Sequence, residues 1–229
     1  MRTTSQRLFL PGLSTLLMLA VLLSLGTWQV YRLRWKEGIL AQIAAAEVAP
    51  AAALATDPAP YAKVSATGHL RFDRAAQFGA EVRDTSAGPT MGFYQIVPLE
   101  RDGAPAILVV RGWVPQKRTA PLDEPAGLVT VSGYVRPGEA AHWFSPADDP
   151  SARQFYTLDP GVIGAAIGEH NLAPFTLVAL GGSAAEAYPV PAQHLPQPPN
   201  NHLSYVITWY GLAVALLVIF VIWARKAIR

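Results

Sequence analysis

Two clusters of chemistry-bearing side chains stand near opposite ends of the chain. In "PPNNHLSYVITWYG", His202, Tyr205 and Trp209 recur at i, i+3 and i+7. In "LGTWQVYRLRWK", Trp28, Arg32 and Trp35 recur at i, i+4 and i+7. At about 100° per residue, each set shares one face of a helix. An imidazole offers a nitrogen to a metal, indole and phenol rings offer flat walls, and arginine grips carboxylates at two points. Two readings fit this pattern. In one, the rings form the aromatic belt that settles at lipid headgroup level, and Asn200 or Asn201 caps the helix that follows. In the other, the clusters form a slot for haem. There His202 is an axial ligand of the iron, Trp28, Tyr205 and Trp209 are walls, and Arg32 meets a propionate. Spacing alone leaves both open.

The elements that carry these clusters are apolar and long. Residues 8–31 lie uncharged between Arg7 and Arg32, and residues 203–224 lie uncharged between His202 and Arg225. Each exceeds the roughly 18–20 residues that a helix needs to cross a bilayer. In hydrocarbon every backbone amide must bond internally, so both are read as helices. Pro11 is read as standing near the start of the first, where its missing N–H costs little. The first run is longer than a signal-peptide core and lacks a good small-residue cleavage pattern, so an uncleaved anchor is preferred. Basic residues orient the pair. Arg225, Lys226 and Arg229 follow the second run, and no Lys or Arg precedes it back to Arg153. The first run alone is ambiguous, with Arg2 and Arg7 on one side and Arg32, Arg34 and Lys36 on the other. Two spans force both termini to one side, the cytoplasmic one, and place the central segment outside.

Charge agrees with that partition. All 16 acidic residues fall between positions 32 and 201, with 13 of the 18 basic ones, so the outer segment is net acidic. The basicity of the whole chain is topological and makes no case for nucleic acid. The absence of cysteine removes disulfides, thiolate metal sites and CxxCH haem attachment.

The expected organisation is a cytoplasmic tail (1–7), a transmembrane helix (8–31), a helical extension with an Ala/Pro linker (32–60) and a β-rich extracytoplasmic domain (61–188). A Pro-rich tether (189–201), a second transmembrane helix (202–224) and a cytoplasmic tail (225–229) complete it. In the central domain, "AKVSATGHLRF", "AAQFGAEV", "GFYQIVPLE", "APAILVVRGWV", "GLVTVSGYV", "RQFYTLD" and "PFTLVAL" read as strands separated by turn residues. Asp102-Gly103 reads as a hairpin turn. "DPGVIGAAIG" reads as a short helix capped by Asp159 with Pro160 at its first position. The fold class is therefore an α+β membrane protein, two transmembrane helices enclosing a mainly antiparallel β-domain, a small barrel or sandwich.

Other constellations are weaker. His69, His142, His170 and His194 are scattered without zinc spacing. Asp148 and Asp149 sit in a proline-flanked loop, where adjacent acids are usually solvated. No nucleophile elbow is present. "RGWVPQKR" supplies Arg111, Gly112 and Trp113, either as a strand end with a packed indole or as a partner surface with an anion-binding arginine.

Taken together, "LGTWQVYRLRWK", "RGWVP" and "NNHLSYVITWY" resemble the surfeit locus protein family of cytochrome c oxidase assembly factors, in order and in spacing. Gly68, "GFYQIVPL", Gly133 with Arg136, and "WFSP" extend the resemblance over nearly the whole chain. It implies a non-enzymatic role: a haem a chaperone that assists cofactor insertion into cytochrome c oxidase subunit I in the bacterial cytoplasmic membrane. Haem a synthase and membrane lipid would be its other partners, and the central domain would be periplasmic. By the family's motif His202 is the proposed haem ligand. The first-span motif supplies Trp28, Gln29 and Arg32, and Gln29, Trp35, Arg111, Gly112 and Trp113 take structural or partner roles. Val110 departs from the polar residue expected before Arg111, and Phe155-Tyr156 departs from an expected Trp-aromatic pair. The alternative is a haem-free scaffold for oxidase assembly intermediates. A catalyst of haem modification finds no redox centre or nucleophile in the sequence.

Overall fold

The computed structural model describes residues 4–85, 88–118, 120–182 and 187–228, with side chains from residue 8 onward. Arg2, Arg229 and the side chain of Arg7, used above for orientation, lie outside that description. The described chain divides into two compact bodies. One comprises the helical segments of residues 1–42 and 197–229, the other residues 43–196.

The helical body contains most of α1 (Thr4–Val48) and all of α3 (His202–Ile228). The 45 residues of α1 span about 67 Å at 1.5 Å per residue. Within both helices lie stretches long and apolar enough to cross a membrane, and little of either stretch is covered by protein. The helix begins at Thr4, so Pro11 is interior rather than at the first turn, and its ring nitrogen cannot donate to the carbonyl four residues earlier. Ser14 Oγ donates to the Pro11 carbonyl at 2.9 Å. The two helices pack antiparallel. Gly12 faces the Phe220 ring, and Gly26 faces Tyr210 so closely that a Cβ there would lie 3.0 Å from its ring.

The second body is a mixed sheet with one short helix. Its strands are β1 (Ala52–Ala53), β2 (Lys63–Leu70), β3 (Ala76–Thr85), β4 (Gly88–Arg101), β5 (Ala104–Pro115), β6 (Leu128–Pro137), β7 (Gln154–Phe155) and β8 (Leu172–Ala179). The order is β1-β2-β6-β8-β5-β4-β3-β7, and β2 also pairs with β4 through His69↔Glu100 and Leu70↔Leu99. The pairings β2–β6–β8–β5–β4 therefore return on themselves. Most are antiparallel, but β5–β8, β1–β2 and β3–β7 are parallel, so the sheet is mixed.

β5 explains why "AILVV" reads as unbroken apolar sequence: Ala106–Val110 are buried on both faces, as in a central strand. Ile107 and Val109 join Val64, Leu99, Val135, Phe175 and Leu177 in the main core cluster. The helix α2 (Pro160–Ile167) has Pro160 in its first turn and ends on Gly168 in the left-handed conformation. The Asp159 side chain accepts from the N–H groups of Gly161 (2.9 Å) and Val162 (3.2 Å). Asp159→Ala is expected to cost about 1 kcal/mol, read as a lower urea midpoint at unchanged slope.

Three local differences from the sequence reading have physical causes. "RQFYTLD" shrinks to the two residues of β7, because Phe155 is fully buried while the chain turns on either side. The Ala/Pro linker contains a strand, β1, alongside β2. Finally, the segment after residue 188 is not a free tether throughout. Val190 exchanges 2.8 Å backbone hydrogen bonds with Trp113, and Ala192 bridges Leu180.

The entry and exit of this body are fastened to one another. The Glu47 carboxylate accepts from the Leu195 N–H at 2.8 Å and stands 3.2 Å from His194 Nδ1. Lys63 Nζ donates to the Glu47 carbonyl at 2.8 Å. The Leu195 amide, helped by His194, holds the Glu47 carboxyl below the usual carboxylate range.

Candidate functional site

The chemistry-bearing residues of the helical body meet around His202. Its imidazole Nδ1 lies 2.7 Å from Gln29 Oε1, across 173 positions of sequence. An amide oxygen only accepts, so Nδ1 is the donor, and the neutral tautomer that makes this bond keeps its lone pair on Nε2. Gln29 is buried at 8% exposure, which makes its oxygen a fixed acceptor rather than a solvated one. The His202 N–H faces Asn200 Oδ1 at 3.4 Å, and Ser204 Oγ donates to the Asn201 carbonyl at 2.7 Å, so polar groups surround the start of α3. About two turns further along α3, Tyr210 OH and Thr27 Oγ1 are 3.1 Å apart.

The sequence placed Trp28 opposite His202; the structure places its neighbour Gln29 there. Leu22, Gly26 and Gln29 are the buried positions on that part of α1, whereas Trp28 and Trp35 are about half exposed. Arg32 is exposed too, and its guanidinium sits 4.2 Å from the centre of the Trp35 ring. On α3, Tyr205 is exposed and Trp209 is partly covered. Trp209 Nε1 is buried without a hydrogen-bond partner among the described residues. Such an orphan donor carries a desolvation cost that a ligand acceptor would remove.

The "RGWVP" motif belongs to the sheet body. Gln95 pairs with Gly112 and Ile96 with Val110, so Arg111 is the extra residue of a bulge. The bulge aims its guanidinium at Gln95 Oε1 (3.2 Å), the Asp123 carbonyl (2.5 Å) and the Phe72 ring (5.0 Å). Burial lowers the Arg111 pKa from its ordinary value, and the nearby Asp123 and Glu124 charges oppose that shift. Gly112 has φ +146, and Trp113 is 3% exposed with its indole N–H donating to the Glu81 carbonyl at 3.2 Å. Asp148 and Asp149 shape their own loop. Asp148 accepts from the Tyr156 N–H at 2.7 Å, and Asp149 accepts from Ser151 Oγ and the Ala152 N–H.

The profile of the SURF1 family matches residues 16–214, a stretch that includes both helix clusters and the whole sheet body. The chain belongs to the SURF1 family. A SURF1-like protein of Rickettsia felis is 32% identical over 224 residues, 95% of this chain and 98% of that protein. A SURF1-like protein of Monosiga brevicollis is 31% identical over 223 residues, 90% of this chain and 84% of that protein. Surfeit locus protein 1 of Xenopus tropicalis is 30% identical over 229 residues, 90% of this chain and 72% of that protein. For this SURF1-family chain, the partner of His202 is what sequence reasoning missed. Gln29 lies inside the first-span motif, but helical periodicity gives relative faces and not which face turns inward. A signal was present: Gly26 and Gln29, three apart, are the small and polar positions expected at a packed helix seam.

Proposed function

We propose that this SURF1-family protein spans the bacterial cytoplasmic membrane twice and carries haem a for insertion into subunit I of cytochrome c oxidase. In this reading both termini are cytoplasmic, the sheet body is periplasmic, and the protein is a carrier rather than a catalyst. The observation that carries the proposal is the 2.7 Å contact between His202 Nδ1 and Gln29 Oε1. An acceptor bonded to one ring nitrogen fixes the tautomer and leaves the other nitrogen for a metal. The donor set suits haem cargo: Nε2 of His202 for the iron, with Trp28, Tyr205 and Trp209 as apolar walls. Arg32 suits a propionate, and the unpaired Trp209 Nε1 suits an oxygen acceptor. Haem a synthase is the expected donor of cargo.

A haem-free scaffold is the second reading, and one surface feature favours it. Trp143 and Phe144 are 87% and 75% exposed, with ring centroids 3.5 Å apart, in the loop between β6 and β7. Exposed neighbouring aromatics of this kind make effective anchors for a protein partner.

The readings separate in one preparation. The protein, purified in mild detergent from cells that make haem a, is expected to show a Soret band in proportion to its concentration. Good yield with no band removes the carrier and leaves the scaffold. Topology is tested apart from cargo: a reporter fused after the last residue is expected to be active only on the cytoplasmic side, and activity outside overturns the orientation.

A further inference from the structure

The sheet body contains a second place built for a ligand, independent of the haem proposal. On the sheet face away from the main core cluster, a cavity of about 160 Å³ is lined by Phe78, Arg83, Tyr94, Tyr134, Arg136 and Val178, among others. The register makes this cluster. Tyr134 pairs with Val178, Val178 with Val110, and Phe78 with Tyr94, so the floor runs across five neighbouring strands.

Its polar groups are donors with unused capacity. Arg83 directs Nε to Glu81 (2.9 Å) and Nη2 to Tyr94 (3.0 Å), while Arg136 directs both Nε and Nη2 to Glu139 (3.1 and 2.8 Å). A guanidinium has five N–H donors, and neither Nη1 has a partner among the described residues. Tyr134 is 7% exposed, and its hydroxyl bonds to no described residue but, unlike Trp209 Nε1, is not sealed from solvent, so it opens onto the cavity. Burial raises its pKa above the ordinary phenol value, so it remains a donor at neutral pH. No carboxylate lines this cavity among the described residues. Rings and aliphatic side chains supply the rest of the wall, with Arg136 5.5 Å from the centre of the Phe78 ring.

The two leftover Nη1 groups and the Tyr134 hydroxyl can still donate to an anion, and apolar walls suit an apolar body behind it. We propose that this cavity binds a small organic carboxylate, held by Arg83, Arg136 and the Tyr134 hydroxyl, with its body between Phe78, Tyr94 and Val178. The volume, about five waters' worth at roughly 30 Å³ each, admits an acid of about one ring.

The test is a titration of the full chain in detergent with benzoate, with benzamide as neutral isostere and inorganic phosphate as the alternative anion. Benzoate is expected to bind at least tenfold more tightly than either. Tyr134→Phe is expected to weaken benzoate about tenfold, as loss of a hydrogen bond to a charged group does, without lowering the thermal midpoint. Arg136→Gln is expected to weaken it similarly, and Arg101→Gln, outside the cavity, to leave it unchanged. Equal binding of benzoate and benzamide overturns the proposal, and phosphate binding as tightly as benzoate overturns the organic-acid assignment. So does a Tyr134→Phe chain that binds benzoate normally, or one whose midpoint falls, since the hydroxyl would then serve the fold.

Discussion

Gly112→Ala is expected to remove a large share of the stability of the sheet body. A Cβ on Gly112 would stand 2.2 Å from the Val190 carbonyl oxygen and 2.7 Å from the Pro191 nitrogen. Those are backbone atoms, and Val190 is held in place by its two hydrogen bonds to Trp113. The backbone also sits at φ +146, which L side chains rarely adopt. Strain of roughly 1–3 kcal/mol from the dihedral and a similar overpacking cost give a loss of about 2–6 kcal/mol. A domain of this size has only about 5–15 kcal/mol in all. Gly79→Ala is the matched comparison: φ is +64 there too, but nothing lies within 4 Å of the added carbon. It is expected to cost about 1 kcal/mol. Urea unfolding followed by tryptophan fluorescence measures both, and equal losses would remove the steric account of the motif.

Under the haem-carrier proposal, Gln29→Leu is expected to lower haem content ten- to a hundredfold, the usual cost of removing the group that holds a metal ligand in place. His202→Ala is expected to abolish the Soret band. Leucine cannot accept from Nδ1, so the proton is free to move to Nε2 and the ring is free to turn. Gln29→Glu keeps an acceptor in the same place and is expected to retain the band. Yield and helical signal should be alike in all three, which separates a positioning role from a folding one. A Gln29→Leu protein with full absorption would show that the contact to His202 has no bearing on cargo.

Much of the fold was legible because its signals are local. The Asp102-Gly103 turn, the Asp159 cap with Pro160, and the apolar run of β5 each need only a few adjacent residues. The parallel pairing of β5 with β8 was not legible, since it depends on strands brought together after β6, β7 and α2 intervene. Nor was β1, two alanines whose strand character comes from lying beside β2. The same distinction governs the helix pair. Spacing put Trp28, Arg32 and Trp35 on one face, but the inward face depends on which side is smooth enough to meet Tyr210, and that is Gly26 and Gln29. The charged cavity escaped because Arg83, Tyr134 and Arg136 are ordinary strand residues until the register gathers them.

The bond from Leu195 to Glu47 joins positions 148 apart. A folded sheet body thereby shuts a long ring of chain, and the two oily segments leave it from adjacent points. Closing such a ring by chance carries an entropic penalty that grows with the logarithm of its length, and here the globule has already met it. Each greasy rod therefore meets the other at the high effective concentration of a short leash, and Gln29 can find His202 without a long search.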